Sequence, residues 1–198
     1  MTKVLHRSGK ITEFDVNKIR VVVEWSCQNL ASPIELEAAF SANLKDEIAT
    51  TEIQGNLIAR ALALCTPDAP NWTYVAGRLH IWDLWKTIRA ARLYDQGDVY
   101  NTSVRAIKDK LSKNIYNPVI LHEYTLEEIE IACNWINPEY DRDYDYAGAK
   151  LLTNRYLISN ELPQECFLIS ALLLAINHQG NRLAFAKQVY LAIAQRKI

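Results

Sequence analysis

The sequence is sparing with the residues that staple, bend or switch a fold. Its 198 residues include four cysteines, six prolines, six glycines and one methionine. Cys27, Cys65, Cys133 and Cys166 are far apart and form no CxxC pair, which argues against a zinc ribbon. All four fall in apolar stretches and are expected as reduced, buried thiols. His80 and His178 are isolated and His122 has only Glu123 beside it, so no metal-ligand spacing exists and no metal site is assigned. Asp141, Asp143 and Asp145 alternate with other residues but lack the central glycine and terminal glutamate of a calcium loop, so a solvated turn is expected. Charge of either sign is not in excess: the net charge is −1, which gives no pull toward nucleic acid or an anionic membrane. The most apolar run, 167–176, is about half of the ~20 residues a membrane span needs. Met1-Thr2-Lys3 leads into a short strand and not into a leader peptide. A cytoplasmic protein with neither a nucleic-acid nor a membrane partner is expected.

What is present is an ordinary globular composition, 49% hydrophobic and 23% charged, long enough for one sizeable domain or two small ones. Two β-prone runs flank Ser8-Gly9, a two-residue turn signal that predicts a hairpin. Asp15 then caps a helix carrying Val16, Ile19, Val22, Val23, Cys27 and Leu30 on one face. Ser32-Pro33-Ile34-Glu35 and Thr51-Glu52-Ile53-Gln54 both show capping-box spacing and open the second and third helices. The fourth begins at Asp68-Ala69-Pro70, with a stripe of Tyr74, Gly77, Ile81, Leu84, Trp85 and Ile88. Trp25, Trp82, Trp85 and Trp135 fall within predicted helices, where packing is the expected role.

Residues 1–93 therefore read as a hairpin plus four helices sharing one core, and 94–198 as a second, helical region. That region opens with a connector, 94–123, holding a short helix over 104–111 and a break at Asn117-Pro118. A capping box at Thr125–Glu128 starts the next helix. Three more are predicted over 145–159, 163–177 and 181–195. Nothing in the sequence marks a closed core for this second part.

A hairpin that delivers its chain to a helix start brings free N–H groups to one place, which suits an anion. The run Val4-Leu5-His6-Arg7-Ser8-Gly9, followed by Phe14-Asp15-Val16-Asn17-Lys18-Ile19, resembles the ATP-cone, a nucleotide-sensing domain of ribonucleotide reductase large subunits. Further on, Arg142-Asp143, Tyr144-Asp145-Tyr146, Tyr156-Leu157 and Glu161-Leu162-Pro163-Gln164 resemble that subunit's N-terminal helical region, with Tyr140 where the family usually has arginine. The two patterns cover essentially the whole chain. The resemblance implies a mainly α fold: an ATP-cone, β-hairpin plus four-helix bundle, over 1–93, then a reductase N-terminal helical layer over 94–198 without the catalytic barrel. The chain ends at Ile198, where the family's barrel would start, and none of its cysteines matches a catalytic position. No catalytic residue is assigned, and by itself the polypeptide is expected to reduce nothing.

By the same resemblance, ATP or dATP is the expected allosteric effector. Its contacts would fall on His6 and Arg7, on Thr12, Glu13, Phe14, Asp15, Val16, Asn17, Lys18 and Ile19, on Thr50 and Gln54, and on Lys86 and Thr87. Arg7 and Lys18 suit phosphates, while Phe14 and Ile19 suit the base. Where the family carries a hairpin lysine this chain has His6; Thr12, Gln54 and Thr87 replace a frequent glutamate, histidine and lysine. A weakened sensor is expected, since each lost charge-assisted contact costs roughly 1.5–3 kcal/mol. The implied partners are the catalytic barrel and, where the parent enzyme is of the di-metal kind, a radical-generating small subunit. The rival reading is a cone that only docks the catalytic part. A cone-bearing transcriptional repressor is disfavoured, because it needs a four-cysteine ribbon and a basic surface.

Overall fold

A computed structural model of the chain describes residues 3–6, 9–41, 47–94 and 97–197. The chain packs as two units: Met1–Leu84 with Arg142–Leu151, and Trp85–Asp141 with Leu152–Ile198.

The first unit is laid out around a three-stranded sheet. Strands β1 (Lys3–Leu5) and β2 (Ile11–Glu13) form the expected antiparallel hairpin, but Leu5 pairs with Ile11 and the His6 N–H meets the Lys10 carbonyl, so its connection is longer than the two-residue turn predicted; Gly9 has φ +81° and its N–H on the His6 carbonyl. Ser8, the other half of the turn signal, lies outside the described residues. A third strand, β3 (Glu47–Ala49), pairs parallel to β1 and was not expected. Three residues are too few to show an alternating pattern; here Ile48 goes inward beside Val4, and both are buried. Helix α1 (Val16–Cys27) starts where predicted, with the Asp15 carboxylate accepting from the Asn17 N–H at 3.0 Å. Val22, Val23 and Cys27 of its stripe are buried, whereas Val16 in the first turn is 47% exposed.

Helices α2 (Pro33–Ser41), α3 (Thr50–Leu64) and α4 (Trp72–Ala91) complete the hairpin-plus-four-helix order. α3 opens one residue before the predicted capping box. Its N-cap is Ala49, the last residue of β3, with no side-chain cap. Gln54 does not reach back to close the box: it is buried and donates to the Leu79 carbonyl at 2.7 Å. α4 also departs from its predicted stripe. Gly77, Ile81 and Ile88 are buried, but Tyr74 is exposed and Leu84 and Trp85 are half-buried, while Trp72, Val75, Ala76 and Leu79 face the core.

The reason is that α4 packs on two sides within this unit. Against its Gly77 face runs the 142–151 segment, which ends in α8 (Tyr146–Leu151). Arg78 holds that segment, its Nε donating to the Arg142 carbonyl at 3.0 Å and its Nη1 to the Gln28 carbonyl at 2.6 Å. Arg142 in turn donates to Gln28 Oε1 at 2.7 Å and lies over the Trp25 ring. A Cβ on Gly77 would stand 2.2 Å from the Tyr144 carbonyl oxygen. Since that contact is with backbone, Gly77→Ala is expected to lower stability by roughly 1–3 kcal/mol, read as a fall in the chemical-denaturation midpoint.

The second unit has a closed core of its own, which the sequence pattern did not mark. It is built from α5 (Ser103–Ser112), α6 (Val119–Glu123), α7 (Leu126–Cys133), α9 (Pro163–Leu174) and α10 (Arg182–Ala194) around Ile107, Ile129, Leu168, Leu172 and Tyr190. α9 is apolar nearly all round, so no stripe could reveal which face is inward. The capping box of α7 is present, Thr125 and Glu128 each satisfying the other's backbone N–H. The single helix predicted over 145–159 is instead α8 followed by a π-helical turn, Leu152–Tyr156.

Two buried polar clusters hold this unit together. Glu165, fully buried, receives both arms of the Arg92 fork at 2.8 and 2.7 Å, the Ser103 hydroxyl at 2.7 Å and the Leu162 N–H at 3.1 Å. Asp141, also fully buried, accepts from Trp85 Nε1 at 3.0 Å, the Tyr100 hydroxyl at 2.5 Å and Gln164 Nε2 at 2.7 Å. The acidic stretch is therefore not the solvated turn expected: Asp143 is exposed, but Asp141 is a core acceptor and Asp145 takes the Gly148 N–H at 2.7 Å.

Candidate functional site

Of the candidate residues, His6, 12–19, Thr50 and Gln54 belong to the small sheet of the first unit and the helices that leave it. Register sets their places. Leu5 pairs with Ile11 on one side and Ala49 on the other, so His6 and Thr50 leave the sheet at the same end. Glu13 pairs with Lys3 and so leads to Asp15 at the opposite end. Each strand is three residues, about 7 Å of rise at ~3.3 Å per residue, so the two ends are close.

Within that frame the side chains divide. His6 and Thr12, both half-buried, face one another across the hairpin, Nε2 to Oγ1 at 2.8 Å. Glu13, Val16, Asn17 and Lys18 are exposed, and Asp15 is occupied in capping α1. Thr50 is half-buried at the first turn of α3, and Gln54 is turned into the core. Lys86 and Thr87 are exposed on the stretch of α4 that belongs to the second unit. Arg7, the expected phosphate ligand of the hairpin, lies outside the described residues.

Phe14, Val16 and Ile19 line a cavity of about 50 Å³ together with Arg20, Glu37, Phe40 and Ser41. Arg20 Nε lies 3.6 Å from Glu37 Oε2 at its edge. The cavity brings together the two residues expected to flank a base, and it adds Phe40 as a second ring. Its volume is far below the ~300 Å³ at which small-molecule pockets begin, so it would hold an edge of a base and no more. The second-helix residues were missed because nothing in their spacing points outward. Arg20 was within reach of sequence reasoning: it follows Val16 by four positions and so shares its helix face.

Among the described residues, no group of three or more His, Cys, Asp and Glu side chains is placed to hold a metal ion. The cysteines are not poised for nucleophilic work. Burial pushes the Cys27 thiol up to about 11 and those of Cys133 and Cys166 to about 12. Two cysteines depart from the expectation of burial: Cys166 is half-buried, and Cys65 is exposed, with its thiol 3.8 Å from the Pro70 carbonyl. No helix of the described residues is long and apolar enough to cross a membrane.

A hairpin and the start of α3 gathered round a short sheet define a sheet-capped helical domain, and the second unit is all-helical. Over residues 2–87 the chain matches the ATP cone domain, and over residues 142–198 the ribonucleotide reductase all-alpha domain. It is 46% identical over 198 residues to a ribonucleoside-diphosphate reductase subunit alpha of Synechocystis sp., covering 99% of this chain and 25% of that protein. It is 32% identical to the Helicobacter pylori subunit alpha over 93% of this chain and 23% of the relative. The Escherichia coli K12 subunit alpha of reductase 1 is 28% identical over 98% and 26%. The chain belongs to the ribonucleotide reductase large-subunit family. It spans about a quarter of the length of the curated relatives it matches.

Proposed function

We propose that this chain is a regulatory and structural part of a ribonucleotide reductase large subunit. Its cone, taken as residues 1–93, binds ATP or dATP as an effector, and 94–198 supports the reduction of ribonucleotides by a catalytic barrel. The barrel and a radical-generating small subunit are its partners, in the cytoplasm. The observation that carries this reading is a hairpin that feeds α1 from one end of a three-residue sheet while α3 starts at the other, within a segment similar to the ATP cone domain. In this reading Arg7 and Lys18 take the phosphates, Phe14 and Ile19 the base, and Glu13, Asp15, Val16 and Asn17 line the approach through their backbone. Thr50 completes the set in the first unit.

The affinity is expected to be modest. His6 and Thr12 stand where the family has a lysine and a glutamate, and here they spend their polar atoms on each other. The Gln54 amide is spent on the Leu79 carbonyl. Addition of ATP is expected to shift the backbone amide resonances of residues 11–19 and 50–54 beyond those of the rest of the cone; uniformly small shifts would count against the site. Replacing His6 by lysine restores a permanent charge and should tighten ATP binding by about tenfold or more.

A second reading has a specific observation behind it. Leu174 and Tyr156 of the second unit are 65% and 64% exposed, large apolar side chains facing outward. A cone that has lost its effector and serves only to dock the barrel would use such a surface. Reductase activity restored by mixing with a separately made barrel, yet indifferent to ATP, would favour it.

A further inference from the structure

The second unit carries a crevice that neither the effector reading nor the docking reading uses. It has a volume of about 350 Å³ and lies between the start of α5, with the 3₁₀ turn Val99–Thr102 ahead of it, and the end of α7. At about 30 Å³ per water-sized atom that is room for roughly ten non-hydrogen atoms. Tyr100, Cys133 and Ile136 belong to its wall, and Asp98 and Asn134 stand exposed at its mouth.

The wall is rigid for reasons set out above. The Tyr100 hydroxyl is fixed on Asp141, and the Ser103 hydroxyl on Glu165, both fully buried carboxylates. Groups lining the crevice also have hydrogen-bonding capacity to spare. Asp98 uses one carboxylate oxygen to accept the Tyr100 N–H at 2.9 Å. Among the described residues, its second oxygen and the Asn134 side-chain amide have no protein partner. Charge then selects the ligand. None of the described lining residues is basic, Asp98 is the one acidic side chain among them, and the C-terminal turn of α7 adds partial negative charge. Phosphates and carboxylates are disfavoured on all three counts. A protonated amine on a short apolar stem fits: the ammonium on Asp98 and the Asn134 carbonyl, the stem along Val104 and Ile136.

We infer that the crevice between α5 and α7 is a binding site for a small organic cation of the aliphatic amine class, anchored by Asp98.

Putrescine is a suitable probe, with butane-1,4-diol as its uncharged counterpart. Asp98→Asn is the informative variant, because asparagine caps a helix start as well as aspartate does and removes only the charge. Calorimetric titration of the full chain should give saturable putrescine binding, at least tenfold weaker in D98N, with no binding of the diol or of inorganic phosphate. Alkylation by iodoacetamide, followed by peptide mass spectrometry, supplies a second readout. Putrescine should slow modification of Cys133, which lines the crevice, at least threefold, and leave the exposed Cys65 unchanged. Absence of saturable heat up to millimolar putrescine overturns the inference. So does equal affinity in D98N, tight binding of phosphate, or equal protection of both cysteines.

Discussion

Glu165→Ala is expected to unfold the second unit at temperatures where the parent chain is fully folded. The side chain is completely buried, and its partner Arg92 is 7% exposed, with both guanidinium arms on the carboxylate. Removing the carboxylate strands that guanidinium and leaves Lys110, whose amine lies 3.7 Å away, with less compensation. It also strips the Ser103 hydroxyl and the Leu162 N–H of their acceptor. Breaking a buried pair from one side costs about 3–5 kcal/mol, against a total stability of roughly 5–15 kcal/mol for a domain. The melting temperature should fall by roughly 10 °C or more. Glu165→Gln keeps two acceptor pairs on one oxygen and should lose less. If the alanine variant melts within about 2 °C of the parent, the network is not what holds the unit.

Asp141 gives the second large effect, on the pH axis. Burial pushes its carboxyl up to about 6, against the opposing influence of its hydrogen bonds from Tyr100, Gln164 and Trp85. The folded-state value lies above the unfolded one, so the protonated form is the one that folding favours. The resulting stabilisation is fully present below about pH 4 and is lost as pH rises through about 6. From the separation of those two values the loss is about 3 kcal/mol. Asp141→Asn cannot titrate, so the difference in unfolding free energy between parent and D141N should slope between pH 4 and pH 7 and be level outside that range. Glu161 is raised by burial too and adds a slope of the same sign, but it is common to both chains and cancels. A difference that is flat from pH 4 to pH 7 would refute the assignment to Asp141.

How much of this could be read from residues alone divides along physical lines. Signals that act over a few positions came through: the Asp15 cap, the Thr125–Glu128 box and the hairpin. Signals that depend on what a segment meets in space did not. β3 is made a strand by β1, not by its own three residues. Gln54 had the right spacing for a capping box with Thr51, but α3 starts from Ala49 and the Gln54 amide is turned inward to donate to the Leu79 carbonyl. Asp141 sat in an acidic, tyrosine-rich stretch that reads as surface, yet three donors from distant parts of the chain enclose it. At the candidate site the order of residues was legible and their engagement was not. Nothing in a list of positions tells that His6 and Thr12 would satisfy one another.

Direct binding of nucleotide to the cone is the decisive experiment. Isothermal titration of ATP and of dATP into the chain should give saturable binding with Kd between roughly 10 μM and 1 mM, the range left when one or two charge-assisted phosphate contacts are missing. Lys18→Ala, which removes an exposed side chain, should weaken it at least tenfold without altering the melting curve. No heat at several millimolar nucleotide, or an affinity that Lys18→Ala leaves untouched, would contradict an effector site at this corner of the fold.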